Sequence, residues 1–390
     1  MTLNKYIKIS FGREAYILKD SRAILKDIDS VLFDCDGVLI DTRESYDNAI
    51  VESVSILFKK ILNIELIGSY ITPSHIYVLR ATGGFNNDTD TVYILSLWLF
   101  TGLQKSRAEV LTSLDSIVND VRNPRDLLSK VSQIVASETG YLPHEVAPTP
   151  QPLEKAISES MRRVGSQVLS IKDLEETLRE VARQNGFVEL FDIFSSILGK
   201  PGKYGQSLVE TLFCDLYYGP ENVRRIFEDG PFFDLGPGMY LKERVNIDES
   251  TLRWLSEKVG TKRVGIVSGR DRISTELVLG GLMRYFNRDA CVFLADEYRV
   301  LGEIVKKPSP YGVLKAVSRM EGASSPLYVG NSAEDYFMTK SSEKYGVKAS
   351  FASIIGLAPN PSDTIEFFAS LGADTILWSP DDIVKILGMF

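Results

Sequence analysis

The sequence predicts an α/β protein: a doubly wound, Rossmann-like, mostly parallel sheet carrying a large inserted α-helical domain. Two observations predict it. From about Gly236 onward, short apolar runs alternate with helical segments, the rhythm of a parallel sheet covered on both faces. Between Ser45 and about Leu235 the pattern is instead long and helical, with apolar residues recurring at three- and four-residue spacing. At 390 residues the chain also exceeds the size at which one hydrophobic core stops growing, so two domains are expected. The expected division is residues 1–44 with 236–390 as the α/β core, residues 1–28 being an N-terminal extension, and residues 45–235 as the helical insert.

The elements follow in order. YIKIS and AYILKD, on either side of Gly12, alternate weakly and read as a hairpin or edge extension. SVLF (30–33) is a buried strand that stops abruptly at Asp34. In the insert, YDNAIVESVSILFKKIL, AEVLTSLDSIVNDV, PLEKAISESMRRV and LEETLREVARQ read as helices. TVYILSLWLF (91–100) is too short to span a bilayer and reads as a buried helix. APTPQPLEK is a loop joint. VGIV (264–267), CVFLA (291–295), PLYVG (326–330), ASFASII (349–355) and TILWS (375–379) are the remaining strands, separated by helices such as ISTELVLGGLMRYF and GVLKAVSRM. No internal repeat is present.

Bulk chemistry narrows the function. A net charge of −8 and a pI near 5.1 argue against a nucleic-acid partner. Three scattered cysteines make neither a disulfide framework nor a zinc site, and a reducing cytoplasm is the simpler setting. A site built on imidazole would have to use His75 or His144. The first residues lack a secretion h-region, and no membrane association is expected.

Four polar clusters sit where predicted strands end, the place where open α/β sheets bind ligands. In Asp34-Cys35-Asp36-Gly37-Val38-Leu39-Ile40-Asp41-Thr42, two carboxylates two residues apart can reach one ligand, and Gly37 lets the chain turn away. One can attack phosphorus while the other protonates a leaving oxygen. Asp41 and Thr42 are expected to cap the first helix of the insert. Ser268-Gly269-Arg270 offers a hydroxyl and an open backbone N–H for phosphoryl oxygens, or else a plain N-cap. The part played by Arg270 is left open. Lys307, in KKPSP, offers an ammonium to neutralise carboxylate and phosphate, with Lys306 as its competitor. In Gly330-Asn331-Ser332-Ala333-Glu334-Asp335, oxygen donors joined by Asp34 suit a hard cation such as Mg²⁺.

Together, in this order, the four clusters resemble the haloacid dehalogenase-like (HAD) superfamily, whose pattern is DxDGxxxDT, a strand ending in Ser or Thr, a Lys often followed by Pro, and GDxxxD. The resemblance covers residues of roughly 28–45 and 235–390. The insert lies where the subclass with a helical C1 cap (subfamily IA) carries its cap, though it is much larger than usual. RATGGFNNDTD (80–90) is similar to a Gly-Asn-Asn-Asp stretch of an archaeal and plant branch of phosphatase-like members. Cap loops in this superfamily commonly face the active site, which makes Arg80, Asn86, Asn87 and Asp88 the specificity candidates; a simple turn with an N-cap is the other reading of the stretch.

The resemblance implies a Mg²⁺-dependent phosphomonoesterase acting on a small phosphorylated metabolite, as monomer or homodimer. Asp34 would be the nucleophile and Asp36 the acid/base. Ser268, Gly269 and Lys307 would hold the phosphoryl group, and Asp34, Asp36, Asn331 and Asp335 the metal. The sequence departs from the pattern at Asn331, where the family normally has Asp; an amide oxygen can bind Mg²⁺ but brings no charge. A phosphomutase on the same residues, or a binding protein on this fold, is the alternative.

Overall fold

The computed structural model describes residues 2–10, 12–82, 84–85, 87–118, 121–139, 145–166 and 168–389. The chain divides into two compact units: Met1–Arg43 with Lys242–Phe390, and Glu44–Leu241. Residues 236–241, placed with the α/β part from sequence, thus fall in the second unit.

The first unit is a sheet of eight strands among the described residues. They are β1 (Tyr6–Ser10), β2 (Glu14–Leu18), β3 (Ser30–Phe33), β4 (Val264–Ser268), β5 (Val292–Phe293), β6 (Pro326–Gly330), β7 (Ser350–Ile354) and β8 (Thr375–Leu377). The spatial order is β1-β2-β8-β7-β6-β3-β4-β5. The pairs from β8 to β5 are parallel, while β1 and β2 form an antiparallel hairpin that joins β8 at the edge. The fold is therefore the α/β, mostly parallel sheet that the sequence pattern predicts, with residues 1–28 supplying its edge hairpin.

Every residue of β3, β4, β6 and β7 is buried, which is why these strands read as continuous apolar runs rather than alternating ones. Their side chains still alternate between faces. Val31, Phe33, Ile266 and Val329 join one core, and Leu32, Val267, Tyr328 and Phe351 the other. Removing a buried side chain such as Leu32 down to Ala would cost roughly 2–5 kcal/mol.

Four expectations are corrected. ISTELVLGGLMRYF is not one helix: the helix Arg272–Leu279 stops at Gly280, and a 3₁₀ segment, Gly280–Tyr285, follows. CVFLA shortens to Val292–Phe293, because Leu294 already begins the helix Leu294–Leu301. AEVLTSLDSIVNDV is not one helix: a 3₁₀ segment, Glu109–Leu114, precedes a short helix, Asp115–Val118. Three leucines and valines of that 3₁₀ segment are buried, so tertiary packing overrides the helical period. Asp41 is not the N-cap of the helix Tyr46–Leu62, a position held by Ser45. Asp41 lies instead in a two-residue strand, Ile40–Asp41, paired antiparallel with Arg244–Val245, and its carboxylate meets the Arg43 guanidinium at 2.9 and 2.7 Å.

The second unit is helical, built on Tyr46–Leu62, Asp88–Thr101, Pro124–Glu138, Leu153–Val164, Ile171–Gln184, Val188–Leu198 and Leu208–Ile226, with other helices between them. Asp88–Thr101 is buried almost all round, as its run of apolar residues predicts. Among the described residues, no helix is long and apolar enough to cross a membrane.

Candidate active site

The four sequence clusters of the first unit meet at the carboxyl ends of three neighbouring strands. Phe33 of β3 pairs with Val329 of β6 on one side and Ile266 of β4 on the other. The ladder continues one step, with the Asp34 N–H donating to the Val329 carbonyl over 2.9 Å. Asp34, Ser268 and Gly330 therefore leave the sheet side by side.

Asp34 is buried, at 7% exposure. The Lys307 ammonium lies 3.0 Å from its Oδ1 and donates to the Asp335 Oδ1 over 2.6 Å. Asp34 thus joins two residues more than 270 positions further along the chain in one carboxylate–ammonium–carboxylate group. Lys307 arrives on the segment between the 3₁₀ turn Gly302–Val305, pinned by fully buried Val305, and the helix Tyr311–Ser318. Lys306 is the exposed neighbour, its ammonium 4.4 Å above the Tyr298 ring, so the structure chooses Lys307.

The two carboxylates are not equivalent. Asp335 is saturated. Besides Lys307, its Oδ1 meets the Tyr328 hydroxyl at 3.2 Å, and its Oδ2 accepts the N–H groups of Asn331 and Ser332, both at 3.1 Å. It also closes a capping box with Ser332 at the start of the helix Ala333–Ser341. Asp34 is underserved: its buried Oδ1 completes no hydrogen bond among the described residues, close as the ammonium is.

Burial therefore pushes the Asp34 carboxyl up to about 7. Lys307 opposes the shift, while the Asp335 and Asp36 charges add to it. The Lys307 ammonium is held charged, its pKa raised by the two carboxylates against the cost of burial. One positive charge shared between two acids, with the shorter contact to Asp335, leaves Asp34 a poorly compensated buried anion.

Asp36 is turned to a different cation. The Arg270 guanidinium, with no exposed side-chain surface, donates to Asp36 Oδ1 over 2.9 Å and to Glu243 Oε2 over 2.6 Å. Ser268, the last residue of β4, is buried and accepts the Arg270 N–H at 3.4 Å. The next helix, Arg272–Leu279, is capped by Asp271, so neither Ser268 nor Gly269 is needed as an N-cap. Gly269 is exposed, with open space where a Cβ would sit.

Asn331 packs its amide against Gly37, where φ is +75°; a Cβ on Gly37 would lie 2.1 Å from Asn331 Nδ2. The glycine is thus required twice, for its left-handed backbone and for room beside the amide. Among the described residues, no group of three or more His, Cys, Asp and Glu side chains is gathered to hold a metal ion. The oxygen donors that suit that chemistry are the buried Asp34 carboxylate, engaged by Lys307 alone of the side chains named above, and the Asn331 amide, both hard ligands of the kind Mg²⁺ takes. Asp335 has its acceptor positions filled, and the Asp36 side chain is engaged by Arg270.

The specificity candidates lie in the second unit. Arg80 donates to Asp47 at 3.1 Å and to Asp88 at 2.7 Å. Asn87 is the N-cap of Asp88–Thr101, its side chain accepting the Thr89 N–H. Asn86 lies outside the described residues. In Gly84 the glycine-rich stretch has a packing reason: a Cβ there would fall 1.7 Å from the Leu169 carbonyl oxygen. His75 is spent on a capping box with Thr72, and His144 lies outside the described residues.

Sequence reasoning missed Glu243, which sits in the polar run KERVN without a motif, and Tyr328, whose hydroxyl reaches the Val267 carbonyl at 2.7 Å as well as Asp335. A tyrosine in an otherwise aliphatic buried strand was the available signal for the second.

No family model matches the sequence, and no curated protein matches it either. Two solved structures are similar in shape. One is an X-ray structure from the Northeast Structural Genomics Consortium, 14% identical, with a TM-score of 0.62 over 93% of this chain and 98% of that one. The other is a phosphatase from Thermococcus thioreducens, 20% identical, with a TM-score of 0.41 over 88% of this chain and 99% of that one. At these identities the first likeness speaks to the fold alone.

Proposed function

We propose that this chain is a phosphomonoesterase of the HAD type, acting on a small phosphorylated metabolite through an aspartyl-phosphate on Asp34. The observation that carries the reading is the meeting of Asp34, Lys307 and Asp335 at adjacent strand ends, with Asp36 two residues from the nucleophile. The unevenness of the group supports it further. A nucleophilic carboxylate needs lone pairs left over for phosphorus, and Asp34, whose Oδ1 meets Lys307 at 3.0 Å, has fewer of them engaged than Asp335, which holds Lys307, the Tyr328 hydroxyl and two backbone N–H groups.

In the first step an Asp34 oxygen bonds to phosphorus as the bond from phosphorus to the leaving oxygen breaks, and Asp36 gives that oxygen its proton. In the second, Asp36 takes a proton from water as the water oxygen attacks phosphorus, releasing inorganic phosphate and restoring Asp34. Lys307 stays charged throughout and offsets the charge of the equatorial oxygens, to which the Ser268 hydroxyl and the exposed Gly269 N–H donate hydrogen bonds. Asp335 fixes the Lys307 ammonium in place. A Mg²⁺ ion, held by Asp34 and Asn331, would supply further positive charge to the phosphoryl oxygens. Asp36 distinguishes this chemistry from dehalogenation, because a departing halide needs no proton.

The contacts of Arg80, Asn87 and Asp88 with one another and with their helix favour a structural part for that stretch over substrate recognition. Phosphate release from a panel of monoesters, with and without Mg²⁺, tests the proposal. Activity on at least one ester that disappears in Asp34→Asn is expected; a protein that hydrolyses none and binds no Mg²⁺ would be a binding protein on this fold.

A further inference from the structure

We infer that Arg270, seated by Glu243, is the positioning residue for the Asp36 carboxylate; the inference rests on the acid/base role proposed for Asp36. The guanidinium is anchored on three sides. Nη2 donates to Glu243 at 2.6 Å, Nε to the Ser274 hydroxyl at 3.0 Å, and Nη1 to Asp36 at 2.9 Å. Ser274 is fixed in turn, donating to the Asp271 carboxylate over 2.5 Å. The Arg270 and Glu243 side chains have no exposed surface, whereas Asp36 is 35% exposed. Asp36 is thus the end of the chain of contacts that opens to solvent.

A buried ion pair of this kind is a poor device for stability. The desolvation of both ions offsets most of their attraction, and well-packed apolar residues of the same volume would serve the fold as well. Its geometry is what an apolar pair could not supply: a rigid fork that holds two carboxylates at once. Glu243 consumes one arm and directs the other at Asp36.

The backbone shows the same registration. Asp36 opens a tight turn in which the Gly37 N–H donates to the Ile40 carbonyl at 2.8 Å. The far side of that turn is laced to the residues that follow Glu243. Ile40 pairs with Val245 and Asp41 with Arg244, the Asn246 N–H donates to the Leu39 carbonyl at 2.8 Å, and the Asn246 amide donates to the Val38 carbonyl at 2.9 Å. The short strand that delivers Glu243 to Arg270 is therefore the one that braces the turn carrying Asp36. Both connections fix a single carboxylate, as expected where orientation within a few tenths of an ångström decides rate.

The experiment compares two esters of different leaving-group quality: p-nitrophenyl phosphate, whose phenolate departs without help, and glycerol 3-phosphate, whose alkoxide needs a proton. The variants are Arg270→Lys, which can meet Glu243 but cannot span both acids, and Arg270→Met with Glu243→Met, which removes the pair together and leaves no lone buried charge. Asp36→Asn is the reference for loss of the acid, and thermal denaturation confirms folding.

Loss of part of a general acid's contribution should lower kcat on glycerol 3-phosphate about ten- to a hundredfold more than on p-nitrophenyl phosphate, with KM little changed. Asp36→Asn should show the same asymmetry, larger. Equal losses on both esters, or a change confined to KM, in folded Arg270 variants while Asp36→Asn shows the asymmetry would overturn the inference alone. Where the monoester panel yields better substrates, an aryl and an alkyl ester from it take the place of this pair; wild-type protein that hydrolyses no ester of the panel would overturn the proposed function, and the inference with it.

Discussion

The Lys307 ammonium donates to the Asp335 carboxylate over 2.6 Å, and the carboxylate it meets is fully buried. This pair fixes the ammonium that also faces Asp34, so its integrity is both a structural and a chemical matter. Lys307→Ala leaves Asp335 as a buried anion held by the Tyr328 hydroxyl and two backbone N–H groups. The expected cost is about 3 kcal/mol, at the low end for breaking a buried pair because those donors remain. A urea unfolding midpoint that does not move would mean the lysine is dispensable to the fold.

Asp34 makes the opposite prediction. Its carboxyl titrates near 7 in the folded protein, above its ordinary value, chiefly because of burial. A raised acid favours the fold while protonated, at pH below about 4, and that contribution is lost as pH rises through about 7. Asn carries no charge at any pH. Asp34→Asn in the presence of a chelator should therefore match wild type near pH 4 and exceed it at pH 8, by on the order of a few kcal/mol. Thermal melts at the two pH values read this directly, and a variant destabilised at pH 8 would show that Asp34 is not a strained anion.

Asn331→Asp tests the metal proposal. A carboxylate at 331 would add a second negative oxygen donor beside Asp34, and Mg²⁺ should bind at least about tenfold more tightly. Titration calorimetry on the two proteins provides the comparison. Equal affinity would remove residue 331 from the ligand set.

Gly84→Ala probes the glycine-rich stretch of the second unit. The new Cβ would meet the Leu169 backbone at 1.7 Å, and neither backbone is a flexible end that can swing aside. A loss of about 1–3 kcal/mol is expected from overpacking. Were the variant as stable as wild type but altered in KM, the stretch would be a recognition loop rather than a packing device.

The strand-end clusters were legible because parallel strands buried on both faces are unbroken apolar runs, so SVLF, VGIV and PLYV end visibly where Asp34, Ser268 and Gly330 begin. What was not legible depended on tertiary partners. Lys306 and Lys307 are alike in sequence, and only the burial of Val305 and the Tyr298 ring under Lys306 separate them. Asp41 looks like part of a helix cap, but the pairing of Ile40–Asp41 with Arg244–Val245 claims it instead. Glu243 carries no local signal, since Arg270, the cation it meets, lies 27 positions further along the chain. Asn87 had two readings in sequence, and its capping hydrogen bond to Thr89 supports the simpler one.

The central claim is that Asp34 is the nucleophile of a phosphate-monoester hydrolase, and the most direct measurement is phosphate release by wild type and Asp34→Asn in Mg²⁺. Wild type should turn over at least one small phosphate ester, and Asp34→Asn, shown by thermal denaturation to be folded, should turn over none above background. Phosphate release that continues undiminished in Asp34→Asn would contradict it.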